Sequence, residues 1–243
     1  IGVRLVGSEM CIRDSNRIYN QPYGVCLILS PWNYPFQLAL MPLIGSIAAG
    51  NTSILKLSEI SPFTSGVVRE IVEEVFDEEY VAVFSGEAEE AINLIESDVD
   101  FIFYTGNPKI GVSVAESAGR RLIPCVLELG GKSPCIIDRK ADLDNAAKKI
   151  VWGKFMNAGQ TCVAPDYIIA DRLVFLELRD KLVHYIKEFY GENPIESDDY
   201  PKIINKKNFD RILNLIEGKR LIFGGKYDDD SLKIELSLIH ISE

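Results

Sequence analysis

Three residues far apart in the chain carry side chains suited to acyl chemistry: Cys162 in NAGQTCVAPDY, Glu128 in VLELGGKSP and Asn33 in SPWNYPF. A cysteine thiolate is a strong nucleophile, and in a glycine-bounded turn its sulfur can face a cleft while nearby backbone N–H groups stabilise negative charge. The competing reading is a small core residue, which is how Cys26, Cys125 and Cys135 read in their strand-like apolar runs. Glu128 is flanked by Val126, Leu127 and Leu129 and followed by two glycines. That is the setting of a strand-end carboxylate made a useful general base by desolvation; a glutamate facing water is the alternative. Prolines on both sides of Asn33 stiffen its turn, so its amide can serve as a fixed donor toward a developing oxyanion, although a rigid turn capped by aromatics would look similar.

A second set of residues suits a sugar- or phosphate-bearing ligand. GNPKIG, Gly106 to Gly111, follows the apolar run FIFYT and precedes a helical pattern, so its glycines would let backbone approach a phosphate at a helix N-terminus. The spacing lacks the middle glycine of G-x-G-x-x-G, and no Lys-Ser/Thr follows to make a P-loop. Lys56 and Glu59, at the end of TSILKLSE, could hydrogen-bond a ribose; solvated strand-end charges are the ordinary alternative. No C-x-x-C and no H-E-x-x-H occurs, so no metal site is expected. His184, beside Leu178, Leu182, Ile186 and Phe189 at helical spacing, reads as a helix-flank residue.

The elements that must position these groups alternate. VCLILS, TSILKL, YVAVFS, FIFYTG and VLELGG read as buried strands, because a sheet covered on both faces requires near-continuous apolar runs. Between them lie helical patterns, one opening at Ser61-Pro62 as N-cap and first turn, with Val67, Val68, Ile71, Val72, Val75 and Phe76 on its apolar stripe. The alternation predicts an α/β fold with a doubly wound, parallel, Rossmann-like sheet and a ligand crevice at the carboxyl ends of its strands. A second α/β unit begins after Gly131: strand CIID, helix from about Leu143 to Met156, turn NAGQTC, strand YIIA, helix from about Leu173 to Tyr190, helix around Asn208 to Glu217, and RLIFGG. The expected boundaries are residues 16–130 for the first unit and 131–235 for the second.

The chain has 243 residues, with 26 Lys and Arg against 36 Asp and Glu, a net charge of −10. That balance disfavours a nucleic-acid partner, whose footprint would be a basic patch. No stretch is apolar enough for a membrane span and no signal peptide is evident; unpaired-looking cysteines suit a reducing, cytoplasmic setting. The two ends read differently from the rest. The tail LSLIHISE reverse-translates to DNA whose opposite strand, read one nucleotide in, encodes the SEMCIRD of Ser8 to Asp14. Both ends thus resemble one transposon-based sequencing adapter, and residues 1–15 and 236–243 are set aside as scars flanking a fragment of a longer protein.

In order along the chain, PWNYPF, KLSE, FYTGNPKIG, LELGGKSP and GQTCVAPDY closely resemble the aldehyde dehydrogenase superfamily, and GKFMNAGQTCVAPDYII with KEFYGENP is similar to its class 3 branch. The resemblance runs over essentially all of residues 16–235, and ELGGKSP and GQTC in this order are its most specific parts. It implies Cys162 as nucleophile, Glu128 as general base and Asn33 as oxyanion donor together with the Cys162 backbone N–H. It implies NAD or NADP as cofactor, with Lys56 and Glu59 on the adenosine ribose and Trp32, Gly106, Asn107, Gly111 and Leu129 lining the dinucleotide site. The implied reaction takes a small-molecule aldehyde through a thiohemiacetal and a thioester to a carboxylic acid. Glu128 favours hydrolysis over transfer to coenzyme A, and a homodimer is the implied assembly. The alternatives are a coenzyme A-acylating or semialdehyde dehydrogenase, or a non-catalytic member of the fold. Two departures stand out: Asn107-Pro108 replaces the serine that many relatives carry in the glycine loop, and the family's E-I-F-G-P segment and N-terminal helices lie outside this chain. Both units are therefore expected to be incomplete and the fragment itself inactive.

Overall fold

The computed structural model describes residues 18–235 and the backbone of Leu238 and Ile239; apart from that pair, the adapter-like ends lie outside the described residues. Five strands and four helices alternate: β1 Val25–Leu29, α1 Gln37–Ala48, β2 Thr52–Lys56, α2 Pro62–Val75, β3 Val81–Phe84, α3 Ala88–Glu96, β4 Phe101–Thr105, α4 Pro108–Arg121 and β5 Cys125–Glu128. The strands form one sheet in the order β3-β2-β1-β4-β5, and every neighbouring pair is parallel. The chain steps outward from β1 to β3 and then returns to the other side of β1. Strand order therefore reverses between β1 and β4, and a crevice opens at their carboxyl ends. The loops SPWNYPF and GNPKIG flank that crevice.

The apolar runs follow from coverage on both faces. Leu27 and Leu29 pack with Ile102, Val114 and Ala118 in one core layer. Ile28, pointing the other way, packs with Ala39, Leu43, Val68 and Val72 in the opposite layer. The stripe expected on α2 is narrower than its sequence suggests: Val68 and Val72 are buried, whereas Val67, Ile71 and Val75 are exposed. Adjacent helix residues are rotated by about 100°, so a helix lying on a sheet buries the ridge of one i, i+4 pair and turns its neighbours outward. Ser61 occupies the N-cap position of α2 without a side-chain cap bond. Its carbonyl accepts from Ser65 N (3.0 Å), and its hydroxyl is buried with no partner among the described residues.

The second unit comprises β6 Ser133–Ile137, α5 Leu143–Phe155, a 3₁₀ turn Met156–Gly159, β7 Pro165–Ala170, α6 Phe175–Tyr190, α7 Lys206–Ile216 and the short strands β8 Leu221–Phe223, β9 Tyr227–Asp228, β10 Lys233–Ile234 and β11 Leu238–Ile239. β6 and β7 pair in parallel. Asp142 caps α5 by accepting from Asn145 N (3.1 Å), and Asn205 caps α7 by accepting from Asn208 N (2.9 Å). One face of the β6–β7 pair joins a core of Ile137, Ala147, Val151, Leu178, Leu182 and Phe209, while Ile136, Tyr167 and Ile169 on the other face are exposed. His184 lies on the outside of α6 and pairs with Glu188 at 3.3 Å. Among the described residues no helix is long and apolar enough to cross a membrane.

Candidate active site

Helix α5 ends at Phe155, and the chain must reverse before β7. It does so through three consecutive left-handed residues: Asn157 (φ 53°), Ala158 (φ 51°) and Gly159 (φ 77°). Asparagine and glycine tolerate that region, whereas alanine is strained there by roughly 1–2 kcal/mol. Burial of Ala158 and side-chain hydrogen bonds on either side hold the turn. Gln160 Nε2 donates to the carbonyls of Asn157 (3.0 Å) and Lys202 (3.2 Å), and its Oε1 accepts from Ile204 N (3.0 Å). Cys162 follows directly, a free and exposed thiol.

The loop after β1 docks on this turn. Asn33 Nδ2 donates to the Gln160 carbonyl at 2.9 Å, Asn157 Nδ2 donates to the Asn33 carbonyl at 2.9 Å, and the Tyr34 and Thr161 hydroxyls lie 2.7 Å apart. The loop after β5 closes from another side. A Cβ on Gly131 would fall 2.3 Å from the Cys162 carbonyl oxygen, so only glycine permits this approach. Three segments that are distant in sequence thus meet at Cys162. An acid–base network surrounds the meeting point, with Asp166 Oδ2 3.3 Å from Lys132 Nζ and Asp166 Oδ1 3.9 Å from Lys154 Nζ. Burial pushes the Lys154 amine below its ordinary pKa, opposed by Asp166 and reinforced by Lys132. A cleft of about 320 Å³ opens beside the turn, lined by Trp152, Phe155, Met156, Asn157 and Tyr190 among others.

Two of the expected roles meet different surroundings. Glu128 ends β5, the edge strand of the sheet, and is exposed instead of desolvated. The Asn33 amide, expected as a fixed donor toward an oxyanion, gives one of its two N–H groups to the Gln160 carbonyl. The residues that knit the loops together, Asn157, Gln160, Tyr34 and Gly131, were not singled out from the sequence. The readable signals for them were an Asn-Ala-Gly turn and a glutamine beside apolar elements.

At the crevice, Lys56 is buried and its Nζ donates to Glu59 Oε2 at 2.7 Å, so this pair is not simply a solvated strand end. Trp32 is half-buried on the β1 loop. Asn107 Oδ1 accepts from Ile110 N (3.0 Å) and caps α4. Each of the two glycines of the loop also makes room for a neighbouring side chain. A Cβ on Gly106 would lie 2.2 Å from the Tyr104 hydroxyl, and one on Gly111 would lie 2.8 Å from Leu129 Cδ2. Thr105, the last residue of β4, has a buried hydroxyl with no partner among the described residues.

Comparison with known proteins agrees with this architecture. The sequence profile of the aldehyde dehydrogenase family matches residues 5–233. The chain is 47% identical over 220 residues to aldehyde dehydrogenase family 3 member A2 of Macaca fascicularis, covering 90% of this chain and 45% of that protein. It is 42% identical to the mouse (Mus musculus) aldehyde dehydrogenase described as dimeric and NADP-preferring, covering 93% of this chain and 50% of the relative. A substrate-bound structure of Staphylococcus aureus AldH superposes with a TM-score of 0.87 at 44% identity, over 91% of this chain and 49% of that one. The chain spans about half the length of the curated relatives it matches.

Proposed function

The chain belongs to the aldehyde dehydrogenase family, and from that premise we propose that the full-length protein to which it contributes oxidises an aldehyde to a carboxylic acid with NAD or NADP. Residues 16–130 form the dinucleotide-binding unit in this reading and residues 131–235 carry the nucleophile; a homodimer in the cytoplasm is the setting. The observation that supports it best is the convergence on Cys162 of the Asn33 loop, through its hydrogen bonds to Gln160 and Asn157, and of the Gly131 loop.

The residues present fit a dinucleotide. The orphaned Thr105 hydroxyl ends β4 at the crevice, and the buried Lys56 brings an ammonium to the same edge with Glu59 beside it. Lys56 and Glu59 would hold the adenosine ribose, with Trp32, Gly106, Asn107, Gly111 and Leu129 lining the rest. When bound, the nicotinamide supplies the hydride acceptor. The Cys162 thiolate adds to the aldehyde carbon, and the resulting alkoxide is met by the Cys162 backbone N–H and the Asn33 amide, whose second N–H can donate while the first stays on the Gln160 carbonyl. Loss of hydride from that carbon leaves a thioester on Cys162. Glu128 then takes a proton from water, the hydroxide adds to the thioester carbon, and the thiolate leaves as the acid forms.

Rapid mixing of the full-length protein with aldehyde and NAD or NADP tests the assignment. Cys162→Ser is expected to abolish nicotinamide reduction. Glu128→Gln is expected to release one hydride equivalent per site and then stall with an acyl group on Cys162, visible as added mass. Continued turnover by the serine variant, or an unmodified Cys162 in the stalled protein, overturns the proposal.

A further inference from the structure

The carboxylate of Asp166 stands where two segments around Cys162 meet, and none of the roles assigned above uses it. Its Oδ2 lies 3.3 Å from Nζ of Lys132, the residue after Gly131, and its Oδ1 lies 3.9 Å from Nζ of Lys154, one residue before the end of α5. The placement comes from a break in the β6–β7 ladder. Ser133 stands opposite Pro165 and Pro134 opposite Tyr167, so Asp166 is an extra residue with no partner in register. Pro134 and Pro165 bring no N–H to that end of the ladder, where an irregularity therefore costs little. A bulge of this kind re-aims a side chain. Asp166 and Tyr167 are accordingly exposed in succession, against the alternation of the strand.

The two lysines belong to separate parts of the site. Lys132 continues the loop that begins at Glu128 and brings Gly131 against the Cys162 carbonyl. Lys154 runs beside the turn that precedes the thiol: a Cβ on Gly159 would fall 3.3 Å from the Lys154 carbonyl oxygen and 3.5 Å from its Cε. The Lys132 side chain is 82% exposed, so its pairing is weak by itself, whereas that of Lys154 is 27% exposed and depends more on a counter-charge. One carboxylate shared by both ties the two segments together. We propose that Asp166 is a positioning residue, a clasp that holds the Glu128 loop, through Lys132, to the Cys162 turn, through Lys154, and so sets the base against the acyl group on the sulfur. This role rests on Cys162 being the nucleophile and Glu128 the base, and it gives Asp166 no contact with substrate or cofactor.

Single-turnover mixing of the full-length protein with aldehyde and NAD or NADP resolves the two chemical steps, hydride release by nicotinamide absorbance and thioester breakdown by the decay of acyl mass on Cys162. Asp166→Asn, which keeps the shape and removes the charge, is expected to slow thioester breakdown about fivefold, the upper worth of a partly exposed ion pair, and to leave hydride release within about twofold. Lys132→Gln is expected to slow breakdown about twofold, and the double variant to be no slower than Asp166→Asn alone, because both substitutions open the same clasp. Hydrogen exchange should quicken in Asp166→Asn at residues 129–132 and 157–162 together. Unchanged breakdown in Asp166→Asn, an equal loss in both steps, or losses that multiply in the double variant overturn the positioning role while the nucleophile and base stand. Absence of hydride release from the unsubstituted protein overturns the proposed function, and the role of Asp166 with it.

Discussion

Leu27 and Ile136 are both apolar residues within parallel strands, yet Leu27 is 0% exposed and Ile136 is 73% exposed. The difference lies in what each sheet receives from its own connections. Each crossover in the five-stranded sheet supplies a helix, two per face, and both core layers close. The β6–β7 pair has its helical cover on one face. The crevice formed by the first unit is therefore fixed by a continuous ladder, whereas the turn bearing Cys162 is held by individual side-chain bonds, several of them from the first unit. A nucleophile on the less covered unit takes its geometry from the better covered one.

The sharpest way to break that dependence is at Asn33. Asn33→Ala removes both the bridge to Gln160 and the proposed oxyanion donor, and should lower the turnover of the full-length protein by about a hundredfold to a thousandfold in steady-state kinetics. A smaller loss would mean that the turn holds itself. Next comes the core contrast. Leu27→Ala should destabilise by about 3–5 kcal/mol, as truncations in closed cores do, and Ile136→Ala by less than about 0.5 kcal/mol, read from urea midpoints. Comparable costs at the two sites would erase the distinction. Ala158→Gly should then stabilise the turn by about 1 kcal/mol by relieving its left-handed alanine, with slower labelling of Cys162 by a thiol probe as the local readout. A destabilised Ala158→Gly would show that packing of the methyl outweighs the strain.

The mildest expected effect concerns acid. Hydrogen bonds from Lys181 and Tyr185, at 2.7 and 3.0 Å, hold the Asp144 carboxyl below its usual range. A depressed carboxylate stabilises the fold above its unfolded pKa of about 3.9, and that contribution is lost as pH falls further through the folded value. Asp144→Asn should flatten the acid limb of the second unit's stability curve and leave the first unit's unchanged, measured by hydrogen exchange at graded pH.

The five strands of the first sheet were legible because burial on both faces writes itself as uninterrupted apolar text. Helix α1 was harder to see: Gln37–Ala48 is apolar nearly throughout and contains Pro42, so it lacks a polar face to set a period. On α2 the valines and isoleucine were visible, but which of them met the sheet depended on a rotation that composition does not encode. The motifs around Cys162, Glu128 and Asn33 were each recognisable. Their joining was not, since Asn33 and Gln160 are separated by 127 positions. Local context left solvent exposure open at both charged strand ends: Lys56 is buried and Glu128 exposed, because the first lies at an interior strand and the second at the sheet's edge.

The bare Cα of Gly131 against the Cys162 carbonyl makes the two loops behave like meshed gears. With no side chain between them to deform, a displacement of the Glu128 segment toward the turn would press directly on the peptide unit that carries the sulfur. A ligand seated beside that segment would then bear on the placement of the thiol as well.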